Sequence, residues 1–145
     1  MGQIAERLRM EQELRASQSR YQELFENAND IVYTHDLEGR FLSINKAGEK
    51  VSGFCRGELL GTGIDRLLAP EHLGRAREMI RQKLQSGVAT VYELEMIRKD
   101  GGRVPLEVST RIIYQDETPV AVQGIARDIT ERKRSEAERR CLEAK

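Results

Sequence analysis

Between Val91 and Arg127 the chain carries three strand-length runs joined only by the turns Lys99-Asp100-Gly101-Gly102 and Asp116-Glu117-Thr118-Pro119. Connections this short admit only antiparallel neighbours, because a parallel pair needs a crossover of about a dozen residues or more. In the first run, Val91, Glu93, Glu95 and Ile97 share one face and Tyr92, Leu94 and Met96 the other, the period of a half-buried strand. Arg103 to Gln115 and Val120 to Arg127 follow. Upstream, Asp30-Ile31-Val32-Tyr33-Thr34-His35 and Arg40-Phe41-Leu42-Ser43-Ile44 flank the turn Asp36-Leu37-Glu38-Gly39, which reads as one more hairpin. Five antiparallel strands are expected.

Helical sequence lies between the second and third strands. Asn45 is a suitable N-cap for Asn45 to Val51. Gly53, Gly57, Gly61 and Gly63 then punctuate Arg56 to Leu60 and Asp65 to Leu68, each about one turn long. Helices this short contribute little stability of their own, so a thinly held roof is expected. Pro70 opens a longer helix to Leu84 or Gln85, and Gly87 is a fitting stop. Its apolar stripe is Leu73, Ala76, Ile80 and Leu84, with Met79 beside them. Short helices gathered on one face of the sheet make the fold class α+β.

Both ends read as helices. Gln3 to Asn27 contains neither Gly nor Pro, and Met10, Leu14, Ser17, Tyr21, Leu24 and Ala28 step through a coiled-coil seam, with Ile4 and Leu8 out of register. Such a helix either packs on its own domain or dimerises. Asp128-Ile129-Thr130-Glu131 has capping-box spacing and opens a last helix through at least Leu142. That helix carries a sparse seam of Arg134, Ala137, Cys141 and Ala144, and is either a solvated tail or a connector. The expected division is 1–27, 28–128 and 129–145.

Composition narrows the function. Lys and Arg number 24, as do Asp and Glu, so the net charge is zero and no field gathers nucleic acid or an anionic membrane surface. No apolar run approaches the roughly 20 residues that cross a bilayer, and the start lacks a signal-peptide stretch; a cytoplasmic location without membrane contact is expected. Cys55 and Cys141 form no disulfide framework, and with His35 and His72 they lack the ligand spacing of a zinc site, so no metal is expected. His35 reads as a partly exposed strand residue or as a polar group reaching into the interior. Gly61-Thr62-Gly63-Ile64-Asp65-Arg66 begins like a dinucleotide loop, but Arg66 stands at the third glycine. Without Gly-x-Ser-x-Gly, a Walker loop or His-Glu-x-x-His, no catalysis is expected.

The order of elements resembles the PAS sensor domain. So do the stretches Asp36-Leu37-Glu38-Gly39-Arg40, Gly53-Phe54-Cys55-Arg56-Gly57-Glu58-Leu59-Leu60-Gly61, Arg98-Lys99-Asp100-Gly101 and Asp128-Ile129-Thr130-Glu131-Arg132-Lys133, and the likeness runs from Tyr21 to Arg134. The resemblance implies a five-stranded antiparallel sheet around a small pocket. It also implies a homodimer through the flanking helices and an output domain in the same polypeptide. The parent would be a bacterial signalling protein such as a sensor histidine kinase or a diguanylate cyclase, neither of whose signatures occurs here. Flavin-binding relatives carry a reactive cysteine where this chain has Ile64. Relatives with a covalent chromophore attach it to a cysteine after Ala-Pro, where Ala69-Pro70 is followed by Glu71. The haem-ligating histidine aligns with Arg77, and His72 stands nearer the helix start. No cofactor is therefore predicted: flavin and covalent chromophore are disfavoured, and so is haem.

A small organic ligand or an empty interior remains. Positions able to line a pocket are Tyr33, Leu42, Ile44, Phe54, Leu67, Met79, Ile80, Leu94, Met96, Val108 and Ile125, each of which also reads as plain core. Signal transfer is expected at Asp128, Ile129 and Thr130, where the last strand runs into the exit helix. The expected function is a ligand-binding sensory module; the alternative is a ligand-free structural PAS that dimerises and only transmits motion.

Overall fold

The computed structural model describes residues 2–87 and 90–143, so Met1, Ala144 and Lys145, named in the boundaries and seam above, lie outside the described residues. The five expected strands form: β1 (Ile31–Asp36), β2 (Phe41–Ile44), β3 (Thr90–Ile97), β4 (Arg103–Gln115) and β5 (Thr118–Asp128). They make one antiparallel sheet in the order β2-β1-β5-β4-β3. The last hairpin is tighter than expected, because Asp116 and Glu117 alone turn the chain, with φ of 50° and 67°. Positive φ at both central residues matches the right-handed twist of the flanking strands and lets β5 start at Thr118.

The helices are α1 (Gly2–Asn27), α2 (Lys46–Ser52), α3 (Arg56–Leu59), α4 (Pro70–Ser86) and α5 (Thr130–Glu143), with a 3-10 turn at Ile64–Arg66. The chain from α2 to α4 lies across one face of the sheet, an α+β architecture. Among the described residues no helix is long and apolar enough to cross a membrane.

Asn45 ties these parts together. It is completely buried. Its amide oxygen accepts the N–H of Val32 at 3.0 Å and that of Gly48 at 3.2 Å, which caps α2. Its amide nitrogen donates to the carbonyls of Phe25, in the last turn of α1, at 2.8 Å and of Asp30 at 3.0 Å. One side chain thus uses both donors and both lone pairs on four backbone groups of three separate stretches. Two of those groups, at a helix start and a helix end, have no partner within their own helix.

Gly48 lets α2 settle on the sheet, since an ideal Cβ there would stand 2.3 Å from Cγ1 of Ile44. In α4, Ala76 is buried as expected, but Leu84 is exposed and Lys83 is buried in its place. The Lys83 ammonium donates to the carbonyl and the hydroxyl of Thr110 on β4. The helix therefore turns its 76–83 edge inward, where a long side chain reaches acceptors on the strand while its stem covers apolar surface.

The roof is held more firmly than its short helices suggest. Phe41 of β2 donates its N–H to Thr62, and Gly61 donates back to Phe41, both at 2.9 Å. At the opposite edge, Ile97 donates to Leu67 at 2.7 Å and Ala69 to Glu95 at 3.0 Å. Backbone bonds to both edge strands strap the segment down and occupy edges that would otherwise template association. Glu58 adds a tie, accepting from the Cys55 thiol and the Lys99 ammonium at 3.0 Å each. These donors hold its carboxyl at about 2, below the usual 4.5.

α1 has no buried residue, so it does not pack along its own domain. Only its last turn is anchored, through the Phe25 carbonyl and a 2.7 Å ion pair between Glu26 and Arg56.

Replacing Asn45 by Ala should strand several buried backbone groups at once. With about 1–3 kcal/mol for each group left unpaired, and water reaching some of them, a total loss of about 3 kcal/mol is expected, read as a lower urea midpoint. Glu58→Gln removes a carboxylate whose pKa is depressed in the fold. Its contribution is complete above about pH 4.5 and is lost towards pH 2, so the variant should lose stability at pH 7 but not at pH 2.

Candidate functional site

A cavity of about 60 Å³ lies between the sheet and its roof. The sheet contributes Ile31, Tyr33 and His35 from β1, Phe41 and Ile44 from β2, Tyr92, Leu94 and Met96 from β3, Leu106 and Val108 from β4, and Ala126 from β5. The roof contributes Gly48, Ile64, Leu67, Leu68, Ala76 and Ile80. Alternation explains the sheet contribution, because inward positions recur every second residue.

Of the residues expected at a pocket, Tyr33, Ile44, Leu67, Ile80, Leu94, Met96 and Val108 line this cavity. Leu42 does not, being 54% exposed. Tyr33 pairs with Ile44 and Thr34 with Ser43, but His35 pairs with Phe41, so Leu42 is the extra residue of a bulge. The bulge breaks the period of two, and Phe41 takes the inward place three positions from Ile44. Ile125 is also outside, 47% exposed. It pairs with Val32 and Ser109, whereas the inward register of β5 is Gly124 opposite Tyr33 and Ala126 opposite Ile31. Phe54 packs on the core from outside the cavity, its ring 5.0 Å from the Arg66 guanidinium carbon and 5.9 Å from the Lys99 ammonium. Met79 likewise packs against the core without reaching the cavity wall.

The inner face of β5 is small because Tyr33 needs the space. An ideal Cβ on Gly124 would stand 2.2 Å from Cζ of the Tyr33 ring. Tyr33 also stacks on His35 at 6.1 Å between ring centroids and meets Phe41 edge-on at 5.8 Å. Burial raises the Tyr33 and Tyr92 hydroxyls well above their usual range, so both remain neutral donors.

His35 is 2% exposed, so its reading as a partly exposed strand residue gives way to the interior one. Its Nδ1 lies 2.6 Å from the carbonyl oxygen of Asp36. A carbonyl can only accept, so Nδ1 carries the proton and Nε2 keeps a lone pair. Burial lowers the pKa of the ring below 6.5, outweighing the Asp36 carbonyl and carboxylate, which raise it. The sequence offered one sign of this, the i, i+2 relation of His35 to Tyr33; the bulge that sets Phe41 opposite it left none.

The remaining histidine sits elsewhere. His72 lies with Glu71 and Glu95, their ligand atoms within 4.8 Å of one another. Arg103 donates to Glu71 and, at 3.2 Å, to Glu95, so a guanidinium already holds the place of a cation there. Arg77 is exposed and Ile64 lines the cavity.

At the exit, Asp128 pairs with Leu106 in the ladder and accepts the Thr130 N–H at 2.9 Å and the Thr130 hydroxyl. The turn is therefore closed two residues on, and not through the expected reach to Glu131. Ile129 is buried and donates its N–H to Pro105 at 3.0 Å. Beyond it, Arg132 places one nitrogen 3.0 Å from Glu107 and the other 3.0 Å from Glu93, while Lys133 reaches Glu93 at 2.8 Å. Glu93 and Glu107 stand directly opposite each other on β3 and β4. Like charges so placed repel, and the arginine fork bridges them.

The PAS domain family matches residues 29–131. The methyl sulfide methyltransferase-associated sensor of Methanosarcina acetivorans is 30% identical over 129 residues, covering 88% of this chain and 13% of its own length. Sensor histidine kinase TmoS of Ectopseudomonas mendocina is 28% identical over 126 residues, 85% of this chain and again 13% of the relative. The chain thus spans about one eighth of these curated relatives. The crystal structure of the PAS domain of the protein from Colwellia psychrerythraea superposes with a TM-score of 0.73 at 24% identity, covering 78% of this chain and 97% of that one, which shows the fold.

Gly124→Ala should displace Tyr33 and cost about 1–3 kcal/mol, the usual range for overpacking. Much of that loss should return in the double variant with Tyr33→Leu, a coupling measurable by a thermodynamic cycle. For His35, whose pKa is lowered in the fold, the stabilisation is complete above about pH 6.5 and lost as pH falls through the folded value. His35→Gln should therefore flatten the fall in urea midpoint between about pH 7 and pH 5, the unfolded titration range of the ring.

Proposed function

This chain belongs to the PAS domain family, and we propose that it is a non-catalytic sensory module of a larger signal-transduction protein, most simply a sensor histidine kinase. In this reading a small molecule enters the interior and its presence is relayed through α5. The observation that carries the reading is continuity: Ala126 lines the cavity, and the same strand passes within two residues into Asp128, Ile129 and Thr130. A guest that shifts β5 against β4 would move the Pro105 carbonyl that holds Ile129, and with it the Glu93–Arg132–Glu107 bridge. Asp128, Ile129 and Thr130 are then the transfer residues, and Arg132 and Lys133 join them. Names of relatives that include "sensor" and "sensor histidine kinase" favour the same role.

A homodimer through α1 and α5 belongs to this proposal. Met10, Leu14, Tyr21 and Leu24 remain exposed along α1, a seam that becomes worth burying only against a second helix. The proposed guest is small and organic and no cofactor is invoked, since about 60 Å³ falls well short of the roughly 300 Å³ at which ordinary cofactor and ligand pockets begin. That same volume favours the second reading, a ligand-free spacer that transmits motion from its neighbours.

Native mass spectrometry and thermal unfolding with a panel of small metabolites separate the two. A bound species, or a saturable rise in Tm of a few degrees, supports the sensor; neither across a broad panel supports the spacer. Deleting residues through Ser19 should weaken self-association in sedimentation while leaving the sheet folded. Arg132→Ala should speed amide exchange in the first turns of α5 and lower Tm slightly, as the loss of a partly exposed ion pair does. Adding Glu107→Gln should return part of that loss by removing the repulsion.

A further inference from the structure

The cavity wall is apolar except at Tyr33 and His35, which stand side by side, and at Tyr92, whose hydroxyl has Thr110 as its partner. With Nδ1 committed to the Asp36 carbonyl, Nε2 is the free acceptor edge of a buried ring. Neither Nε2 nor the Tyr33 hydroxyl hydrogen-bonds another group among the described residues. One wall of the cavity therefore presents an acceptor beside a donor, in surroundings where leaving either unmade is costly.

We propose that the guest of this cavity is a short, uncharged aliphatic alcohol whose hydroxyl donates to Nε2 of His35 and accepts from the hydroxyl of Tyr33. The inference rests on the sensor reading above and names the chemistry of that same site. Size restricts the guest: about 60 Å³ exceeds the roughly 10–15 Å³ that admits one water and is less than half of the roughly 150 Å³ that holds benzene. An ion is disfavoured, because a carboxylate or ammonium would leave water for walls made of Ile31, Phe41, Ile44 and Met96. An alkane fits the walls but leaves both polar groups unmade. An alcohol satisfies them and lays its chain on the aliphatic side.

The test compares ethanol with its isomer dimethyl ether, which has the same atoms but no donor, and uses xenon as a probe of whether the cavity opens at all. The readouts are the methyl signal of Met96 and the ¹⁵N signal of His35 Nε2 in NMR titrations of the full chain. Xenon should perturb the Met96 methyl. Ethanol should bind saturably, shift Nε2, and bind about tenfold or more tightly than the ether, the fold-change that a single unmade hydrogen bond gives. His35→Phe should abolish the preference, and Tyr33→Phe should reduce it; the ratio in the unaltered chain decides by itself should either variant unfold. If xenon enters but ethanol and the ether bind equally, the alcohol inference falls and the sensor reading stands. If xenon and both organic guests leave every cavity signal unmoved, the sensor reading falls as well.

Discussion

Four hydrogen bonds from one buried amide, that of Asn45, hold the end of α1, the start of β1 and the start of α2 in a single geometry. Everything that makes the interior a chamber follows from that placement. With β1 fixed at Val32, its neighbours Ile31, Tyr33 and His35 face inward. With α2 fixed at Gly48, the chain returns over the same face and can be strapped to both edges of the sheet. A hydrophobic residue at this position would fill the space yet leave donors and acceptors unmatched on three elements, and burial would penalise each of them.

The interior owes its shape to subtractions. Gly124 withholds a side chain so that the Tyr33 ring can lie across β5, and Gly48 withholds one so that Ile44 can approach α2. The bulge at Leu42 adds a residue and thereby turns Phe41 inward against Tyr33 and His35. Three rings, Tyr33, His35 and Phe41, are thus gathered on β1 and β2, while Tyr92 on β3 joins aliphatic side chains in the rest of the lining. In the proposed reading, Tyr33 and His35 beside aliphatic walls would select a guest by hydrogen bonding as well as by size.

Outside the chamber, the sheet presents a different surface to α5. Two carboxylates opposite each other on β3 and β4 need a cation, and the exit helix supplies it from Arg132, with Lys133 alongside. Because these groups are partly exposed, the attachment is weak in energy. A weak and well-placed attachment suits the relay proposed above, in which α5 would respond to small changes in the sheet.

Much of the fold was legible in the order of residues. Turn chemistry at Asp36-Leu37-Glu38-Gly39 and Lys99-Asp100-Gly101-Gly102, the alternation from Val91 to Ile97, and Pro70 and Gly87 around a helix are local signals, and local signals survive without knowledge of partners. Those signals determined five antiparallel strands, the helices between them and the long helices at both ends. Only the tertiary structure decided which side chains meet. The bulge that expels Leu42 and admits Phe41, the packing that makes Gly124 the inward residue in place of Ile125, the burial of His35 and Lys83, and the bridging of Glu93 and Glu107 by Arg132 all depend on groups far apart in sequence. Periodicity states that a strand has two faces. Which face turns inward at each residue is set by the neighbour it must fit, and that neighbour is found only once the chain has folded.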